Sequence, residues 1–186
     1  MPDKICDLRT DTNPPMMKKI ILAMALTVCA AASSFADQGL TADEQAFIEK
    51  AATSDQTEIM LSKLALERAG SPQVKDFAQT MITDHGKSTS LLQPIAADHG
   101  VNLPENPPPA NNEKYQKLEK QSGTAFDKTY IETMVADHED TLHAFEAEAG
   151  RATDPKLKEF ISTVQPVVAH HLEMAKALRQ AKQTES

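Results

Sequence analysis

The sequence predicts an all-α protein, an antiparallel four-helix bundle built from two similar helical hairpins plus a short linker helix. Three observations carry that expectation. After the first 36 residues no stretch alternates polar and apolar side chains as a half-buried strand does. Four long segments instead repeat apolar residues at three- and four-residue spacing, each opened by a cap or proline signal. Finally, Ser71-Pro72-Gln73-Val74-Lys75-Asp76-Phe77-Ala78 is matched in type, position by position, by Asp154-Pro155-Lys156-Leu157-Lys158-Glu159-Phe160-Ile161, each following an Ala-Gly pair. Self-similarity on this scale makes the second pair of helices a copy of the first, and two such hairpins pack as a bundle.

The first 36 residues read as a leader rather than as fold. Met17-Lys18-Lys19, the apolar run Ile20 to Val28 and the small residues ending in Ser34-Phe35-Ala36 are the three regions of a secretory signal peptide, cleaved after Ala36. The polar segment before Met17 fits no part of that pattern and reads as an over-extended start. The apolar run is far below the ~20 residues of a bilayer span. Residues 37–186 are then a single bundle domain, periplasmic or secreted, with no transmembrane helix. A competing reading anchors the chain as a lipoprotein at Cys29, although Val28 just before it is a poor fit to the small residue such a signal wants. The two cysteines, Cys6 and Cys29, both lie in the leader, so cleavage after Ala36 leaves no disulfide and no thiolate chemistry.

Charge narrows the partners. Four of the 19 basic and three of the 27 acidic residues precede Asp37, leaving 15 against 24, a net charge of −9 with histidine neutral. No basic cluster survives the leader and aromatic residues make up only 4% of the chain, which argues against nucleic acid, whose binding rests on phosphate neutralisation by Lys and Arg. An envelope protein or a second copy of the chain fits better. There is no nucleophile elbow, phosphate loop or cysteine pair, so any catalysis would depend on a metal.

Thr41-Ala42-Asp43-Glu44 is a capping box that opens the first helix, which runs to Gly70. Ser71 caps the second and Pro72 takes its first position, where a missing donor costs nothing. With so short a break the two helices form an antiparallel hairpin. The second helix ends at Gly100. From Val101 to Asn112, Pro104, Pro107, Pro108 and Pro109 exclude helix and give an extended linker, followed by a short polar helix from Asn112 to Gln121. Thr124 starts the third long helix, ending at Gly150, and Asp154-Pro155 starts the fourth, running to about Lys182. The connection between hairpins is compatible with a local return or with a crossover along the bundle. Pro94 and Pro166 lie inside helices two and four and should free the carbonyls of Ser90 and Ser162, kinking both.

The apolar stripes contain histidines. Val74, Phe77, Ala78, Met81, His85, Leu92 and Ile95 share one face of helix two; Tyr130, Met134, His138, Leu142 and Phe145 share one of helix three. Helix four offers Leu157, Phe160, Val164, Val167, His171, Met174 and Leu178, with His170 at the margin. Helix one, with Phe47, Ala51, Ile59, Leu61 and Leu66, has the least clean phase and carries Glu58 beside its seam. The motif Thr80-Met81-Ile82-Thr83-Asp84-His85 recurs as Thr133-Met134-Val135-Ala136-Asp137-His138, placing one sulfur and one imidazole on each stripe. Counting from Gly70, Glu58 and His85 fall within about one turn, ~5 Å, of the same level. His138 precedes Gly150 by twelve residues and His171 follows it by twenty-one, a looser match across a longer turn. Offsetting by the difference between Gly70 and Gly150 puts His138 at the position of Glu58, so the duplication predicts that one carboxylate and three imidazoles converge on one region of the interior.

Two readings of that convergence compete. In one, His85, His138 and His171 are packed histidines satisfied by Tyr130, Glu58 or one another. In the other they bind one transition-metal ion, with Glu58, Met81 or Met134 completing the shell. Imidazole and thioether together suit copper ahead of zinc or iron. Met81, Met134 and Met174 are more often core filler, and Glu58 more often a partly exposed seam carboxylate. Asp84 and Asp137 lie about 100° around the helix from the neighbouring histidine, on a solvated face or orienting an imidazole from outside. His99 suits the dipole at a helix C-terminus, and His143 and His170 read as surface residues.

Val74-Lys75-Asp76-Phe77-Ala78 through Met81 and Asp84-His85, Phe126-Asp127 with Tyr130 and His138, and Pro166 followed by His171-Leu172 resemble the bacterial domain-of-unknown-function 4142 family. The resemblance covers nearly the whole chain after the leader. It implies an exported ferritin-like four-helix bundle of unassigned activity, many of whose members carry an outer-membrane label, and it marks His85, His138 and His171 as the characteristic histidines. The ferritin-like di-iron signature needs Glu-x-x-His on two helices, but Ile82 and Val135 stand three residues before His85 and His138. That argues against an oxidase-type di-iron centre and for a mononuclear site or none. The function expected is therefore a non-enzymatic metal-binding or envelope stress protein. A structural or partner-binding envelope module without metal is the alternative, and a metal-dependent redox enzyme ranks last.

Overall fold

The computed structural model describes residues 39–105 and 109–184. The leader, with Cys6, Cys29 and the cleavage point at Ala36, lies outside the described residues, as do Pro107 and Pro108. The described elements are α1 (Ala42–Arg68), α2 (Pro72–Asp98), a 3₁₀ turn (Pro109–Asn111), α3 (Glu113–Leu118), α4 (Gly123–Ala149) and α5 (Pro155–Thr184). The four long helices and the short linker helix are where the caps and prolines placed them, and no strand occurs among the described residues. Both internal prolines, Pro94 and Pro166, sit in helices that continue past them.

Capping explains most boundaries. Thr41 accepts from the Glu44 amide while Glu44 accepts from the Thr41 amide, the reciprocal pair that the motif requires. Asp154 accepts from the Leu157 amide at the start of α5. Ser71 caps α2 by position only; its hydroxyl bonds Gln73 instead. The linker helix is shorter than expected and not polar throughout: Leu118 is fully buried and Tyr115 packs beside it.

Helix direction settles the connection between hairpins. The end of α1 and the start of α2 meet the start of α4, through an Ala69–Gly123 backbone bridge and through Asp127, which accepts from the Gly70 and Ser71 amides. At the opposite end the start of α1 meets the start of α5, where Glu44 accepts from the amides of Thr153 and Asp154, and the end of α2 meets the same point through His99 and Asp154. The chain therefore leaves α2 at one end and begins α4 at the other. The connection is a crossover that climbs alongside α1, tied to it by Gln56 donating to the Pro104 carbonyl. Helices α1 and α2 pack together, as do α4 and α5, with α1 against α4 and α2 against α5. Every adjacent pair is antiparallel.

The Gly70–Gly123 approach is where glycine is needed. A Cβ on Gly70 would lie 2.9 Å from the Gly123 Cα, and Gly123 itself has φ +62°. Gly123, one residue before the expected start at Thr124, is the first residue of α4. The duplication also appears as a repeated clamp, since Glu44 holds the amides before α5 as Asp127 holds those before α2, and both pairs stand 83 residues apart. Removing the second clamp by Asp127→Ala strands two amide donors, one of them, that of Ser71, buried. The expected cost is about 3 kcal/mol, which for a domain of this size lowers Tm by roughly 6–12 °C in a thermal melt.

Two apolar clusters fill the bundle. One contains Leu61, Leu64, Phe77, Met81, Phe126, Tyr130 and Met134, the other Phe47, Ile48, Leu92, Phe145, Leu157 and Phe160. Between them in sequence, on all four long helices, lie buried polar residues: Asp55 and Glu58, His85 and Ser88, His138, and His171. In α5 it is Val168 rather than Val167 that is buried.

Candidate metal centre

A buried polar layer in a bundle core persists only if its groups find partners, and here each ring finds one partner and keeps one nitrogen without. Asp55 on α1 bonds Nδ1 of His85 at 2.8 Å, and its other oxygen accepts from the Thr89 hydroxyl at 3.1 Å. Nδ1 of His138 donates to the Met134 carbonyl at 2.8 Å, one turn back on α4. Nε2 of His171 bonds Asp84 of α2 at 3.2 Å. Left without a partner are His85 Nε2, His138 Nε2, His171 Nδ1 and one oxygen, Oε2, of Glu58, all buried. One ring nitrogen from each of the three histidines lies within 4.8 Å of the other two, and the ring centroids are 5.3 to 5.7 Å apart. Glu58 sets Oε2 4.0 Å from His85 Nε2 and Oε1 3.7 Å from His138 Nδ1.

This arrangement fits a cation. A partner that accepts from one imidazole nitrogen leaves the lone pair on the other, so Asp55, the Met134 carbonyl and Asp84 would orient the three rings of a metal site. Four unpartnered atoms, one from each long helix, supply three nitrogens and a carboxylate oxygen. Tetrahedral coordination at 2.0–2.1 Å places donors ~3.3 Å apart, so an ion would draw the rings somewhat inward.

Electrostatics agree. Burial pushes the Glu58 carboxyl up to about 8, against the pull of the His85 charge. Burial, reinforced by that same charge, holds His138 and His171 down to about 4. For His85 burial works downward too, but the Asp55 hydrogen bond, with Glu58 behind it, raises the ring above the ordinary histidine value. Without a cation the layer holds His85 biased towards its protonated form by Asp55, two rings that resist protonation and a carboxyl that resists ionising.

The structure brings together His85, His138 and His171, with Glu58 beside the first two; the counting from the turns matches His171 only loosely. Glu58 is not the partly exposed seam carboxylate expected of it; at 2% exposure it is enclosed by the polar layer. Met81 and Met134 are fully buried in the apolar cluster one turn from their histidines, and Met134 reaches His138 through its backbone carbonyl. Tyr130 bonds Ser62 at 2.7 Å and no histidine. Asp84 orients an imidazole, but that of His171 across the bundle, while Asp137 pairs with Lys114. His99 is not a free cap: its ring, 8% exposed, is fastened to Asp154. His143 and His170 are exposed. Sequence reasoning missed Asp55. It lies three residues before Glu58 on the same face of α1, and the 83-residue offset of the clamps places it opposite His138, a signal hidden by counting from Gly70 and Gly150 across turns of unequal length.

Among solved structures the chain is similar to a DUF305 fragment from Deinococcus radiodurans, at TM-score 0.68 and 10% identity over 77% of this chain and 99% of that one. It is also similar to CopM in its Cu(I)-bound form, at TM-score 0.62 and 17% identity over 74% and 96% of the two chains, and to CopM in its Ag-bound form, at TM-score 0.59 and 17% identity over 74% and 96%. At such identities the likeness establishes the all-α fold. A comparison with curated protein sequences finds no match. The model of the domain of unknown function DUF4142 matches residues 29–178, most of the sequence and all three convergent histidines, and the chain belongs to that family.

Proposed function

We propose that this protein is exported and binds one transition-metal ion between its four long helices, copper ahead of zinc or iron, without being an enzyme. His85, His138 and His171 are its nitrogen donors and Glu58 its fourth ligand; Met81 and Met134, one turn away, are the sulfur donors nearest in sequence for a Cu(I) form. The observation that carries this reading is the set of three buried histidines, each with a ring nitrogen within 4.8 Å of the other two, each keeping one unpartnered nitrogen and held from behind by its own acceptor, with the unpartnered Glu58 Oε2 beside His85. Packing alone leaves no reason for so many unpartnered polar atoms to gather in one buried layer, since each costs what an unmade buried hydrogen bond costs. Imidazole donors suit copper, zinc and iron alike; copper is preferred because a protein of the same fold is known with Cu(I) and Cu(II) bound. No described helix is long and apolar enough to cross a membrane. The partner-binding alternative calls for a sizeable exposed apolar patch, and among the described residues Leu91, 46% exposed, is the one large apolar side chain that qualifies.

Elemental analysis of the purified chain, followed by titration with Cu(I), Cu(II), Zn(II) and Fe(II), tests the proposal. One ion per chain, held against a competing chelator, is the expected result. No stoichiometric binding of any of the four defeats it and leaves a structural envelope module.

A further inference from the structure

We infer that the ion reaches its site through the groove between α1 and α4, and that the Lys114–Asp137 ion pair is the gate across that groove. The inference rests on the metal-binding reading above. The groove, of about 460 Å³, is lined among others by Lys50, Thr57, Glu58, Lys114, Asp137 and Asp140. Glu58, almost fully enclosed, forms its floor, and the unpartnered Oε2 is buried there. A cation that arrives at Glu58 is already beside the free Nε2 of His85, 4.0 Å from Oε2, and next to the His138 ring, whose Nδ1 stands 3.7 Å from Oε1. Above and below the polar layer the two apolar clusters close the bundle axis to an ion.

At the mouth two carboxylates, Asp137 and Asp140, stand among two ammonium groups, Lys50 and Lys114. Asp140 is exposed and Asp137 half-buried, and onto Asp137 the crossover segment places the Lys114 ammonium, at 2.5 Å. Lys114 belongs to α3, so the long connection supplies the gate charge from outside the four-helix core. Its side chain is 48% exposed, and an exposed pair of this kind is weak and exchanges rotamers rapidly. Closed, it cancels one of the two carboxylates that attract a cation. Open, it leaves Asp137 and Asp140 together at the mouth above the buried Glu58, two carboxylates facing Lys50 alone, which raises the local cation concentration.

Stopped-flow mixing of the full chain with Cu(II), followed by quenching of its tyrosine emission, reads the rate; the chain has two tyrosines and no tryptophan. Lys114→Gln is expected to speed association by ~10-fold at low salt, with the gain shrinking as salt screens the mouth. Asp140→Asn should slow it. Lys176→Gln, which makes the same change of net charge on the face where Lys176 pairs with Glu139, should stay within twofold of wild type. Equal acceleration by Lys114→Gln and Lys176→Gln overturns the route, as do unchanged rates in the Lys114 and Asp140 variants of a protein that binds stoichiometrically. Failure of wild type to bind at all defeats the metal reading itself, and this inference with it.

Discussion

Changing His85, His138 or His171 singly to alanine is expected to weaken cation binding by more than ~100-fold, the upper end of what loss of an outer partner costs. Each ring would contribute one of only three nitrogens, and each comes from a different helix, so no neighbouring imidazole can replace it. His143 and His170 are exposed and away from the layer, which makes alanine at either a matched control with unchanged affinity. Competition titrations of the five variants against a chelator of known affinity decide the matter. Equal affinity in all of them would remove the buried triad from the binding site. Binding should also release a proton, because the ion displaces the one that Glu58 holds in its absence.

The metal-free protein should be most stable near pH 6.5 and lose stability in both directions, for separate reasons. His138 and His171 are held near 4 in the fold, below the ordinary histidine value. The unfolded chain then binds more protons than the folded one between about 6.5 and 4, and stability falls as pH falls through that window. Glu58 runs the other way. Its folded value is raised to about 8, so the protonated fold is favoured below its unfolded value of 4.5 and that advantage is lost as pH rises towards 8. His85, also raised, adds to the loss on the alkaline side. Between 4.5 and 6.5 the two lowered histidines outweigh the one glutamate, which keeps the maximum near 6.5. Each group contributes up to ~1.4 kcal/mol per pH unit across its window.

Glu58→Leu separates these effects. Above pH 6.5 it should stabilise the metal-free chain by ~1–3 kcal/mol, since a buried carboxyl with an unpartnered oxygen is replaced by a side chain suited to the core. The same change should weaken cation binding, so stability and affinity move in opposite directions. Denaturation in the presence of EDTA from pH 5 to pH 9 is the measurement. An alkaline loss as steep in the variant as in wild type would show that Glu58 is not its source.

Legibility in the sequence followed the range of the interactions. The capping box at Thr41, the Asp154 cap and the proline starts were readable because they act over three or four residues. The three histidines were readable as a group because stripe phase and distance from a turn together fix a residue's face and height. Asp55 was not, because an acid on a helix of weak amphipathic phase looks solvated until the facing helix puts a ring 2.8 Å away. His99 was misjudged for the same reason, its partner Asp154 being 55 residues distant.

By itself, then, the sequence determined that this is an all-α bundle of two related hairpins, that it belongs with a particular family of unassigned function, and that one carboxylate and three imidazoles fall in one region inside it. Periodicity and capping are local, and a duplicated hairpin carries its register with it. Only the tertiary structure decided that the hairpins are joined by a crossover along α1, that Glu58 is enclosed, and which nitrogen of each ring is held from behind. Those outcomes depend on which helices become neighbours, and that is set by the close Gly70–Gly123 approach and the two carboxylate clamps at opposite ends of the bundle, contacts between residues far apart in the chain that no local pattern encodes.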